Sequence, residues 1–480
     1  MKQIIIILGF LLSINYAQCQ TDFQLWLNNT NNEYSRDLVE LADGGFVISI
    51  ASQTDFDSSL YTKIQRYSAS GSLIKEINIV NPEWDCRIEN LVLSGDSLIV
   101  GIGEWKHHNQ NSEIWYLGMD TELNIVFNKK YEVNNVWFEQ TRSFASFNGN
   151  IITCATIAPY TNPSQSSVYL IEATLNGDML RSKCLYSGHT FFVHDIFQFN
   201  GLYSILAFIN GSSLSQIVRV DTNFNIASLD SIPHDFNNCI SGKISDDNKY
   251  YLAGNVPVGL PSRDIGVMLL DENNQPLRFA NVGKPADTID FGGAQQSMDF
   301  INSNTIFIGG TSNVDVNIPY YSPLESWYCL YCFDSLLNLK WTKFYGGDAY
   351  YFLFNVVATS DGGVILSGTR YDSNTPDNKL DIYILKVDEN GLITSTNEMP
   401  PLTVSEAIVY PNPGSTQLTI ETALKDLQFE LYNTNGQTVV SQPVNNGTAT
   451  VNTSALPAGV YLYRFMNKDK MVESGKWVKE

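Results

Sequence analysis

The chain has 480 residues, 44% hydrophobic and 16% charged, a composition that folds and excludes wholesale disorder. Fifty acidic residues against 29 basic ones leave a formal charge of −21, so there is no basic stripe to neutralise phosphates and nucleic acid is excluded as a partner. The acidic excess reads as surface solubility, with divalent-cation binding the lesser alternative.

In chain order, residues 1–20 predict a signal peptide. Lys2 supplies a positive start, residues 4–14 an apolar core too short to span a bilayer, and Tyr16-Ala17-Gln18 a cleavage point. Cys19 raises the rival idea of a lipid anchor, against which stands Gln18, at a position where such anchors want a small residue. No later stretch is long and apolar enough for a membrane helix, so no transmembrane segment is expected in the mature chain.

From residue 21 to 397 one pattern recurs about every 50 residues, a period that signals propeller blades. Its clearest copy reads FNVVATSDGGVILSG, then a polar segment, then DIYILKVDENGLI, which is strand, Asp361-Gly362-Gly363 turn, strand, loop, strand and turn. The second strand of each copy begins at Phe46, Leu98, Ile151, Tyr203, Tyr250, Ile306 and Val364. The turn after the third strand opens with Asp120, Asp221, Asp271, Asp334 or Asp388, and with Ser68 or Thr174 in the other two copies. These short acceptors interchange because each can bond nearby backbone N–H groups. Phe23-Gln24-Leu25-Trp26-Leu27 looks like the outer strand Leu339-Lys340-Trp341-Thr342-Lys343-Phe344-Tyr345 of the sixth copy, whereas the seventh copy lacks one. The N-terminal strand is therefore expected to complete the last blade and close the ring; a parallel solenoid is the alternative.

After a linker at 398–407, which contains Met399-Pro400-Pro401, residues 408–480 show tighter hairpins and apolar alternation, predicting a small antiparallel β-sandwich. The predicted fold class is thus all-β, a seven-bladed β-propeller followed by that sandwich. Cys329 and Cys332 have CxxC spacing, but in a strand residues three apart point to opposite faces, so they read as buried structural cysteines rather than metal ligands. Cys86, Cys154, Cys184 and Cys239 give no readable pairing.

The repeat resembles the propeller units of exported Bacteroidetes proteins, on the landmarks Gly362-Gly363, Asp388 to Gly391 and Trp341 to Gly347. It has no GH or WD pairs recurring from copy to copy, and no sialidase boxes or quinone-docking tryptophans of better-known propellers. The last domain closely resembles the type A C-terminal sorting domain of the type IX secretion system. The matching residues are Tyr410-Pro411-Asn412-Pro413, the Leu431-Tyr432 hairpin with Gly436, Leu456-Pro457 with Gly459 and Tyr461, and the basic final strand with Lys476 and Lys479. That resemblance implies export across two membranes, recognition by the type IX machinery and its sorting protease, and a secreted or outer-surface destination.

No catalytic motif is present: there is no G-x-S-x-G, H-E-x-x-H or phosphate loop, and His189, His194 and His234 lack ligand spacing. No catalytic residue, metal or cofactor is therefore expected. In a propeller the loops between second and third strands share one face. Here they are expected to carry Trp105, His107, His108, Tyr160, Tyr320, Tyr321 and Tyr371, aromatics suited to a glycan or protein ligand. The expected function is a secreted or surface propeller that binds such a ligand. The alternative is an exported polysaccharide-degrading enzyme whose acidic residues converge in the channel.

Overall fold

The computed structural model describes residues 22–55, 58–81, 84–107, 112–133, 136–145, 149–159, 166–187, 191–209, 215–233, 236, 238–245, 249–258, 262–283, 288–375, 379–393, 407–422, 427–433, 437–444, 447–467 and 470–480. The expected signal peptide, His108, Tyr160, His189, His234 and Gly436 lie outside them. The elements are strands throughout, and among the described residues no helix is long and apolar enough to cross a membrane. The chain divides into two compact units, Met1–Glu398 and Met399–Glu480.

In the first unit the described residues form seven successive antiparallel sheets at 32–79, 84–133, 136–187, 191–231, 238–282, 290–346 and 350–387, here sheets 1 to 7. Sheet 7 takes its fourth, outer strand from the start of the chain: Phe23–Leu27 pairs antiparallel with Leu380–Val387, Phe23 opposite Lys386 and Leu27 opposite Ile382. The inner strands touch in succession, and Asn32–Glu40 of sheet 1 meets Tyr350–Ala358 of sheet 7, so the ring is closed and the fold is a propeller.

Each sheet buries both faces against its neighbours, which explains the continuous apolar runs of its second and third strands. A separate apolar core fills each gap between neighbours. Ile48, Ile50, Ile365 and Ile384 join sheets 7 and 1, and Leu353, Leu366, Tyr328 and Leu330 join sheets 6 and 7. Cys329 and Cys332 fall into different gaps, as alternation along Trp327–Phe333 requires, and all six described cysteines are unpaired.

The turns after the third strands obey one rule. The Oδ1 of Asp120, Asp221, Asp271, Asp334 and Asp388 accepts N–H groups two and four residues on, at 2.7–2.9 Å. Ser68 and Thr174 keep only the bond four residues on, at 3.1 Å. The fourth residue of all seven turns has positive φ: Gly71, Leu123, Gly177, Phe224, Asn274, Leu337 and Gly391. Where it is glycine, an aromatic ring from the preceding outer strand covers it: Phe23 over Gly71, Phe127 over Gly177, Trp341 over Gly391. Where it is Leu123, Phe224 or Leu337, that side chain buries itself in the gap. Burial there offsets the ~1–2 kcal/mol that a left-handed backbone costs an L-residue.

The second unit is a sandwich of two sheets. One contains Ala407–Tyr410, Gln417–Thr422 and Thr448–Asn452; the other runs Thr438–Val444, Leu427–Tyr432, Gly459–Asn467, Lys470–Lys479. Leu418, Ile420, Phe429, Leu431, Phe465 and Trp477 form its core.

Candidate functional site

The inner strands carry a device that their sequences do not announce. Six of the seven contain a β-bulge near the middle, and in sheet 6 the strand is broken between Asp290–Gly292 and Met298–Asp299. At or directly after the bulge stand Asp37, Asn90, Asp195, Ser241 and Asn355; Ser297 lies in the break of sheet 6, and Arg142 stands two residues beyond Gln140, where the sheet 3 register resumes.

Most of these bind the neighbouring sheet. Asp37 Oδ2 accepts Leu91 N at 2.7 Å, and Asp195 Oδ2 accepts Gly242 N at 2.8 Å. Ser241 Oγ accepts Ser297 N at 2.7 Å, Arg142 Nε donates to His194 O at 2.7 Å, and Asn355 Nδ2 donates to Arg36 O at 3.0 Å. Between sheets 6 and 7, Asp299 Oδ2 accepts Ala358 N at 2.9 Å. The result is a polar girdle stitching inner strand to inner strand.

Charges collect around this girdle. Burial pushes the carboxyls of Asp37 and Asp195 up to about 6, although each accepts two backbone N–H groups and feels the Arg142 cation. Burial also works against ionising Glu89, but Arg36 at 3.6 Å, Arg87 at 3.3 Å and Arg142 together hold it below the usual carboxylate range. A cavity of about 340 Å³ lies on one side of the girdle, lined by Asp37, Arg142, Asp195, Lys243 and Asp299 among others. Carboxylates do converge in the channel, then, but Asp37, Asp195 and Asp299 are each bonded to backbone N–H groups of two inner strands. Among the described residues no group of three or more His, Cys, Asp or Glu side chains could hold a metal ion.

The second cavity, about 450 Å³, opens where inner strands begin. Phe291 and Phe352 come from the inner strands of sheets 6 and 7, and Tyr320 from the 313–326 loop of sheet 6 that leans over them. The Tyr320 ring stands edge-on to Phe352 with centroids 5.1 Å apart and stacks on Phe354 at 6.0 Å. Its neighbour Tyr321 meets Tyr371 edge-on at 5.5 Å, and its hydroxyl bonds that of Tyr34 in sheet 1. The loop thus spans from sheet 6 to sheets 7 and 1. Polar groups enter the cavity from His194, Asn238 and Arg263.

Tyr320, Tyr321 and Tyr371 therefore come together, but not as an exposed platform. Tyr371 ends the strand Val364–Tyr371 and is buried, while Tyr320 and Tyr321 are half-buried in one aromatic cluster. Trp105 stands in the strand Leu98–His107, not in a loop, and is only 8% exposed because it packs edge-on against Trp115 with the Lys130 ammonium 3.1 Å from its ring centroid. The backbone of His107 closes that same strand; His108 and Tyr160 lie outside the described residues. Reading from the sequence alone missed His194, Asn238, Arg263, Phe291 and Phe352. Four members of the girdle carry a local signal, a polar residue before an apolar pair, in Asp37-Leu38-Val39, Asn90-Leu91-Val92, Asp195-Ile196-Phe197 and Asn355-Val356-Val357; Arg142, Ser241 and Ser297 carry none.

In the second unit the motif residues hold one another. Asn412 acts as an extra strand residue for the last strand: its Nδ2 donates to Lys476 O at 2.7 Å and its Oδ1 accepts Val478 N at 3.0 Å. Trp477 Nε1 donates to Pro411 O at 2.8 Å, and Tyr461 OH to Pro457 O at 2.8 Å. Tyr410, Pro411, Pro413, Gly459 and Lys476 stay exposed, Leu456 and Lys479 half-buried.

The family model of the secretion system C-terminal sorting domain matches residues 408–480. That domain supports export of the chain by the type IX secretion system, which leads to the cell surface or the extracellular space. No curated protein matches the chain. Among solved structures, the β-propeller domain of the Trilobed protease from Pyrococcus furiosus is 9% identical, covering 78% of this chain and 99% of that one, TM-score 0.44. A puromycin hydrolase is 11% identical over 90% of this chain and 58% of its own, TM-score 0.46. A protein of unknown function from Bacteroides caccae is 11% identical over 66% and 94%, TM-score 0.39. None of these three likenesses bears on what this chain does.

Proposed function

We propose that this chain is an exported propeller that binds a small extracellular ligand in the cavity walled by Phe291, Tyr320 and Phe352, with no catalysis of its own. The observation that carries this reading is the meeting of three aromatic rings with His194, Asn238 and Arg263 in one cavity of about 450 Å³, a size and chemistry typical of small-ligand sites. An apolar wall supplies the binding energy and a few polar groups fix the orientation. The sorting domain delivers the propeller to where such a ligand is met and is recognised by the type IX machinery and its sorting protease. A channel-centred polysaccharide-degrading enzyme is the less supported reading, because the channel aspartates are occupied in joining the sheets.

The test is a ligand screen by thermal shift, with glycans and small aromatic compounds as separate arms, on the wild-type chain and on Phe291→Leu and Tyr320→Ala variants. Hits that stabilise wild type and lose at least tenfold affinity in both variants support the cavity. Hits unaffected by either variant would place binding elsewhere and overturn the reading.

A further inference from the structure

Resting on that reading of the cavity, we infer that it selects a carboxylate carried on a flat apolar ring, an arylalkyl carboxylic acid rather than a neutral sugar. Arg263 begins the third strand of sheet 5, half-buried at the cavity wall. Its guanidinium makes no hydrogen bond or ion pair with any described residue, although the chain carries a formal charge of −21. The other arginines buried in this ring are engaged: Arg66 with Asp43 at 2.9 Å, Arg219 with Asp230 at 3.2 Å and Arg370 with Asp348 at 3.0 Å as ion pairs, and Arg142 with the His194 carbonyl at 2.7 Å. A guanidinium is charged at every accessible pH, and its planar fork fits a carboxylate through two parallel hydrogen bonds.

Two further polar atoms at the wall lack a partner. His194 Nε2 and Asn238 Oδ1 are buried without a hydrogen-bond partner, and both residues line the cavity. A buried polar atom left unbonded costs about 1–3 kcal/mol; His194 recovers it by donating to the carboxylate as its Nε2–H tautomer, whereas an amide oxygen only accepts, so Asn238 serves the carboxylate with its amide turned to present Nδ2. Burial, aided by the Arg142 charge, lowers the His194 pKa to about 3, so the imidazole stays neutral and Arg263 is the one cation among the lining residues.

The rest of the wall decides the ligand's body. It is built of Phe291, Tyr320 and Phe352 with Ile240, Val314 and Val316. A sugar ring brings several hydroxyls that must each find a partner on leaving water, and three polar side chains are too few for them. An aromatic ring leaves no such debt and gains edge-to-face contacts with the three rings.

Isothermal titration of the full chain with phenylacetate and with phenylacetamide isolates the charge, since the two share a ring and a length. The expected result is that wild type binds the acid at least tenfold tighter than the amide. Arg263→Gln should abolish the preference for the acid over the amide with the melting temperature unchanged, and Phe291→Leu should weaken both. Equal binding of acid and amide by wild type, or an acid preference that survives Arg263→Gln, overturns the inference and leaves the cavity standing. Binding of cellobiose, lost in Phe291→Leu, with no binding of either phenyl compound has the same meaning. Failure of all three probes to bind overturns the inference, whereas the failure of the cavity reading itself is read from variants that leave the affinity of a bound compound unchanged.

Discussion

Phe23 lies over Gly71: a Cβ built on that glycine would stand 2.8 Å from Phe23 Cγ, so the first strand of the described chain and a turn of sheet 1 admit each other only because one of them has no side chain. Trp341 and Gly391 repeat the relation between sheets 6 and 7. The N-terminal strand is thereby locked from both sides, since Trp26 Nε1 also donates to Asp381 at 2.8 Å and Arg370 sits 4.3 Å from the Trp26 ring centroid. Phe23→Ala should cost about 3–5 kcal/mol, the usual range for emptying a buried aromatic site. The check is chemical denaturation together with hydrogen exchange, in which amides of Leu380–Val387 should lose protection before those of sheets 3 and 4. Equal loss around the whole ring would count against closure by this strand.

Glycines at the turns divide into two kinds, which single substitutions should separate. Gly391→Ala places a Cβ 2.7 Å from Lys343 Cγ and 2.9 Å from the Trp341 ring at φ +69°. Gly149→Ala meets nothing within 4 Å at φ +80°. Both pay the left-handed cost of ~1–2 kcal/mol, but Gly391→Ala should lose at least ~1 kcal/mol more through overpacking, measured as a difference in urea midpoints.

The girdle gives a pH signature. Burial raises the folded-state pKa of Asp37 and Asp195 to about 6, above the ordinary carboxyl value of 3.8. Their contribution to stability is therefore full at low pH and is lost as pH rises through about 6. Asp195→Asn removes the titration and leaves one of two backbone N–H groups without its acceptor, a cost of about 1–3 kcal/mol. The gap in melting temperature between wild type and Asp195→Asn should be widest near pH 4 and narrow toward pH 7. A gap that widens as pH rises would contradict the assignment.

Thiol chemistry should follow burial. Desolvation raises the Cys332 thiol to about 11 and the Cys329 thiol further, and the two face different cores. Under native conditions a thiol reagent should label neither on the timescale on which it labels half-buried Cys184, as read by peptide mass spectrometry. Rapid joint labelling of Cys329 and Cys332 would mean that the strand is not as described.

In the sorting domain, Asn412→Ala removes two hydrogen bonds to the last strand and should cost about 1–3 kcal/mol. Export of the full chain should fall with it, scored as protein in culture supernatant and on the cell surface against the periplasm. Normal export of a chain lacking 408–480 would refute the role of this domain in sorting.

The sequence by itself determined the repeat, the strand order, the borrowed outer strand and the sorting domain, because each depends on local rules. Turns opened by Asp, Ser or Thr, apolar runs and the likeness of Phe23–Leu27 to Leu339–Gly346 are properties of short segments. It also placed Cys329 and Cys332 on opposite faces, since strand alternation is local. What it misjudged were the aromatics. Trp105 and Tyr371 stand beside polar residues in the chain, and only the neighbouring strands reveal that Trp115, Lys130 and Tyr321 cover them. The partners of the girdle residues and the walls of the cavity were decided by tertiary structure alone. Asp37 meets Leu91, Asp195 meets Gly242, and Arg263 shares a wall with Tyr320 only once the ring has closed, because side chains about 50 residues apart are brought together by the stacking of sheets and not by any local preference.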